Sequence, residues 1–73
     1  MIILFNREPT PQDYNGIESK NAIWYSTKDK TLWLGHNKTE ESMTWDKIYF
    51  NTYGLKTEQE IVEKIKERFS EYL

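Results

Sequence analysis

Residues 57–72 have a pattern that fits one structure. Thr57-Glu58-Gln59-Glu60 is a capping box, with Thr57 at the N-cap and Glu60 three positions on. Glu58 and Glu60 also suit the positive end of a helix dipole. At about 100° per residue, Ile61, Val62, Ile65, Phe69, Tyr72 and Leu73 share one side of the predicted helix. Glu60 and Lys64 form an i,i+4 pair on the other side. A helix of this length is marginal in water until its apolar stripe is docked. No second helical segment of similar length is present to receive it, so the docking partner is a sheet.

Three segments supply that sheet. Ile2-Ile3-Leu4-Phe5 is a continuous apolar run, which predicts a strand over 2–6. Residues 21–36 read as a hairpin rich in strand formers around the polar Lys28-Asp29-Lys30. No glycine stands where a three-residue loop would need one, so a four-residue loop, 27–30, built on a type I turn is expected. That loop sets Tyr25 opposite Leu32, Trp24 opposite Trp33 and Ile23 opposite Leu34. A third strand is predicted over about 44–53, ending at Gly54, with Ile48 and Phe50 on one face and Tyr49 and Tyr53 on the other. The fold class is therefore α+β. One domain spans 1–73, a small antiparallel sheet of three or four strands with the C-terminal helix packed on one face. Ile23, Tyr25, Leu32, Leu34, Ile48 and Phe50 meet the helix.

Length and composition narrow the function. A chain of 73 residues buries only about 60% of the surface its unfolded form exposes. Domains this small often add disulfides, a metal or a partner. The chain has no cysteine, which excludes a disulfide and a thiolate zinc site. Eleven aromatic residues (three Trp, five Tyr, three Phe) and a net charge of −2 separate it from disordered chains. No stretch reaches the roughly 20 apolar residues of a membrane span. The N-terminal apolar run lacks the basic flank and the length of a signal peptide. A cytoplasmic protein without cofactors or membrane contact is expected. Eight lysines against two arginines, with many Ile and Asn, suit an AT-rich genome such as a low-GC bacterium or its phage.

One helix covers one face of one sheet, which leaves Trp24, Trp33, Tyr49 and Tyr53 on the other. These four rings are the candidate binding residues, as rigid anchors for a protein partner or for a second copy in a homodimer. Two readings compete: residues 7–20, long for a connection, fold over the rings together with the 2–6 strand, or the hairpin register is off by one and the tryptophans are core. Pro9 and Pro11 disfavour helix in that connection, and Asn15-Gly16, flanked by Tyr14 and Ile17, would turn a short hairpin.

Other chemistries find less support. His36 and Glu40 are four apart but lie in a loop rather than on a helix. Asp13 with Asp46, or any glutamate pair, could form a carboxylate dyad, against the default of charges on a solvated surface, and three glycines make no phosphate loop. Glu63, Glu67 and Glu71 align as a mild acidic ridge on a face of mixed charge. Three strands followed by a helix, with Tyr53-Gly54-Leu55-Lys56-Thr57 leading into Glu60, resembles in topology the integrase arm-binding domain over about 21–69. The resemblance implies a sheet that reads DNA. Within 21–53, however, Lys28, Lys30, Lys38 and Lys47 are balanced by Asp29, Glu40, Glu41 and Asp46, and a neutral sheet offers phosphates little. The expected function is that of a small non-enzymatic protein-binding module, of the kind a phage or mobile element uses to modulate a host protein. Stacking of single-stranded bases or a nucleotide on the same rings is the alternative.

Overall fold

The computed structural model describes residues 1–18 and 21–72. Ser19, Lys20 and Leu73, the last of the helix stripe, lie outside the described residues. Four strands, β1 (Ile2–Phe5), β2 (Ala22–Ser26), β3 (Thr31–His36) and β4 (Thr44–Ile48), form one sheet in the order β1-β2-β3-β4. The helix α1 (Glu58–Arg68) follows, and a short 3-10 turn over Ser70–Tyr72 ends the described chain.

The fold is α+β, with a mostly antiparallel sheet and one C-terminal helix. The hairpin pairs Trp24 with Trp33, Tyr25 with Leu32 and Ile23 with Leu34, the register of a four-residue loop. The loop does require a left-handed residue, which a simple type I turn would not, and Lys30 takes that conformation at φ 57°. Ser26 anchors the turn, its hydroxyl donating to Asp29 at 2.8 Å and its carbonyl accepting from Lys30 N–H at 2.8 Å.

β1 runs parallel to β2, so the sheet is mixed rather than wholly antiparallel. This explains the long connection over 7–20. Parallel neighbours cannot be joined by a tight turn, and the chain must cross a face of the sheet to start β2 in the same direction. Among the described residues this crossover is a run of turns over 11–16, with Gly16 at φ 78°, and it forms no hairpin.

β4 stops at Ile48, short of the expected 53. Asn51 ends it by accepting the Tyr53 N–H on its side-chain oxygen at 2.9 Å, and Gly54 completes the turn at φ 85°. Tyr53 therefore sits in the turn before α1 and not on a strand. Phe50, also past the strand, still folds inwards and meets Tyr25 edge to face at 6.1 Å.

Thr57 caps α1 as expected, its hydroxyl accepting from Glu60 N–H at 3.2 Å. The helix ends at Arg68 rather than 72. Phe69 leaves helical geometry, and the 3-10 turn then brings Tyr72 to 6.3 Å from the Phe69 ring, so both pack on the core. Ile23, Tyr25, Leu32, Phe50 and Ile65 are buried at the centre of that helix-facing core. Burial pushes the Tyr25 phenol above its ordinary pKa. Among the described residues, no helix is long and apolar enough to cross a membrane.

Candidate functional site

The face away from α1 is covered around Trp24, as the first of the competing readings has it, which removes that ring from the exposed aromatic platform. A second core of Ile17, Ala22 and Met43 forms on this side, with Ile3, Tyr14 and Trp45 packed around it. Trp24 is only 4% exposed. Its indole N–H donates to the Arg7 carbonyl at 2.8 Å, and its ring meets Phe5 and Trp45 edge to face at 5.8 and 5.6 Å. A donor in this position would be costly to bury without the acceptor that the crossover provides.

Arg7 locks the crossover in place. Its guanidinium lies over the Phe5 and Trp24 rings, 5.0 and 5.1 Å from their centroids. It also makes a two-pronged contact with Asp13, with both nitrogen–oxygen distances at 2.8 Å. The Arg7 hydrogen bonds hold the Asp13 carboxyl at about 2, down from an ordinary 3.8; partial burial opposes the shift, and the backbone and hydroxyl donors of Thr10 add to it. A depressed folded-state pKa contributes stability above the unfolded value that is lost as pH falls through the folded one. The stability gap between the protein and its Asp13→Asn variant should therefore be full above about pH 4 and shrink towards zero near pH 2. Urea denaturation of both proteins across that range measures it.

Trp45 owes its position to Gly35, its partner across β3 and β4. A Cβ on Gly35 would stand 2.6 Å from Met43 Sδ and 2.8 Å from Trp45 Cζ3. The missing side chain leaves the seat in which the Trp45 indole lies across β3 to reach Trp24. Gly35→Ala should thus cost about 1–3 kcal/mol by overpacking. A lowered urea midpoint, with a shift in tryptophan fluorescence as Trp45 is displaced, is the expected reading. The Trp45 indole nitrogen is buried without a hydrogen-bond partner among the described residues.

Trp33 and Trp45 remain at the surface of this face, each half-buried. Trp33 donates from its indole to the Thr31 hydroxyl at 3.0 Å, which fixes its ring. Pro9 and Pro11 from the crossover line a groove with the two indoles, and Ser42, Met43 and Thr44 complete its lining at the start of β4. Its volume is about 320 Å³. The crossover is tied to that end of the strand by Met43 N–H, which donates to the Pro11 carbonyl at 2.9 Å.

The four rings chosen from sequence therefore separate. Trp24 is core, Trp33 lines the groove, and Tyr49 and Tyr53 stand 80% and 90% exposed outside it. Trp45 and the two prolines were missed as groove residues, because the pairing of Gly35 with Trp45 depends on a β3–β4 register that the sequence pattern leaves open. Asp13 and Asp46 do not form a pair, since Asp13 holds Arg7 and Asp46 meets the His36 ring. Among the described residues, no cluster of three or more His, Asp or Glu side chains could hold a metal ion. The crossover packs against the face away from the helix, the face that the resemblance to the integrase arm-binding domain would leave open for DNA. No family model, curated protein or solved structure matches the chain.

Proposed function

We propose that the chain is a small non-enzymatic protein-binding module that receives a partner in the groove between Trp33, Trp45, Pro9 and Pro11. The groove itself carries this reading. Two indoles held half in water beside two prolines offer flat apolar walls at low entropic cost, because the rings and the pyrrolidines are already ordered. Aromatic anchors of this kind dominate binding energy where a partner side chain excludes water from them. Tyr49, just past the end of β4, extends the available aromatic surface. The lysine-rich, isoleucine-rich composition supports an origin in a low-GC bacterium or phage, where such a module would act by occupying a surface of a host protein.

Selection of a displayed random heptapeptide library on the immobilised protein tests the reading. Enriched peptides should bind in calorimetry and lose at least about tenfold in affinity to Pro11→Lys, which keeps the Pro11 carbonyl and places a charge at the groove rim. Trp33→Leu should act in the same direction, with an unchanged circular dichroism spectrum as the folding check. Failure to enrich any peptide, or equal affinity for the Pro11→Lys variant, overturns the reading. So does tighter, salt-sensitive binding of an oligothymidine, which would move the chain to the nucleic-acid class.

A further inference from the structure

The edge of the sheet next to the groove is open. In β2 the odd-numbered residues face β1, since Ile23 N–H donates to the Met1 carbonyl and Thr27 N–H to the Phe5 carbonyl. The backbone groups of successive residues point to opposite edges of a strand, so the even residues of β2 face β3. Following the register across, the odd residues of β3 face β2 and its even residues face β4. The even residues of β4 answer them, which leaves the N–H and C=O groups of Met43, Trp45 and Lys47 directed outwards. Met43 is already covered by the Pro11 carbonyl at 2.9 Å. β4 is the last strand of the sheet, so among the described residues the next two outward positions, Trp45 and Lys47, have no strand beside them.

Those two positions differ in chemistry. Trp45 and Lys47 project on the same face, two residues apart, with Trp33 across from Lys47. Trp45 lines the groove. Lys47 is exposed and makes no ion pair among the described residues. A lysine at a sheet edge discourages indiscriminate strand pairing. The same charge favours a strand that brings a carboxylate beside it, so it selects as well as protects.

We propose that the outer edge of β4 takes up an extended peptide in antiparallel pairing, with a carboxylate side chain beside Lys47 and an apolar side chain two residues later beside Trp45. The recognised pattern is acidic–any–apolar. Main-chain hydrogen bonds to Trp45 and Lys47 hold the strand, and the two side chains on the groove face give specificity. Antiparallel pairing continues the order of β2, β3 and β4. The proposal rests on the groove reading and adds to it the edge, the direction and the partner's charge.

The probe is the blocked peptide Thr-Ser-Glu-Thr-Leu-Ser-Thr, titrated into isotopically labelled protein. The amide signals of Trp45 and Lys47 should shift. N-methylation of the leucine amide, which faces β4, should weaken binding at least about tenfold, and N-methylation of the threonine before it, which faces away, should leave binding unchanged. Lys47→Glu should bind the original peptide about fivefold more weakly and prefer a version with Lys in place of Glu. No binding of the probe, equal effects of the two N-methyl groups, or no reversal of charge preference overturns the edge proposal. If the probe binds, loses affinity to Pro11→Lys and yet ignores both N-methyl groups, the groove reading stands and the edge proposal alone falls.

Discussion

Trp24→Ala is expected to unfold the domain rather than to trim a binding surface. The ring is 4% exposed and lies at the junction of every element on its side of the sheet. It touches Phe5 at the end of β1 and Trp45 on β4, it lies beneath the Arg7 guanidinium, and it donates to the Arg7 carbonyl. Truncating a buried tryptophan costs about 3–5 kcal/mol, and a single core in a domain this small seldom supplies more than that. The variant should therefore lose its cooperative urea transition at 25 °C and show unfolded-like circular dichroism. Trp24→Phe keeps most of the packing and removes the indole donor, which leaves the Arg7 carbonyl with water as its partner. It should remain folded, with a midpoint below that of the parent. A Trp24→Ala protein as stable as the parent would mean that the crossover does not roof this face in solution, and the ring would return to the set of surface anchors.

The comparison between pattern and structure turns on which interactions are local. The α1 cap lies within four consecutive residues, and Thr57 and Glu60 meet as their spacing requires. The hairpin register follows from the length of one loop, so the sorting of Ile23, Tyr25, Leu32 and Leu34 to the helix side was legible before any coordinates. The parallel placement of β1 was not, and the roof over Trp24 was open only as a competing reading. They depend on Ile17 and Tyr14, two apolar residues in an otherwise polar segment, reaching a surface far away in sequence. Proline and turn signals describe how such a segment bends and say nothing of where it lands. The candidate site was blurred for the same reason. Trp45 stood in a predicted strand like any other ring, and its contribution to the groove depends on Gly35 across the ladder and on Pro9 and Pro11 from the crossover. Tyr53 was assigned to a strand that Asn51 had already ended.

Ile65→Ala should have an effect of similar size from the opposite layer. Ile65 is the one buried residue that α1 contributes among those described, and it packs with Ile23, Tyr25, Leu32 and Phe50. Removing a buried isoleucine to alanine costs about 2–5 kcal/mol, set by how far the site can collapse around the gap. Collapse is limited here because the opposing floor is a sheet whose residues are held by β1 on one side and β4 on the other. The helix has little to fall back on, since eleven residues with one good cap are marginal once undocked. The sheet has as little, because an undocked helix would put Tyr25, Ile23 and Leu32 into water. Helix and sheet should consequently melt in one transition, with the far-ultraviolet helical signal and the near-ultraviolet aromatic signal lost at the same urea concentration. Glu63→Ala, on the exposed side of the same helix, should stay within about 0.5 kcal/mol of the parent. If Ile65→Ala instead loses the helical signal while the Trp24 environment stays native, the crossover core would be stable by itself. The groove of Trp33 and Trp45 would then stand on a sheet that needs only its roof.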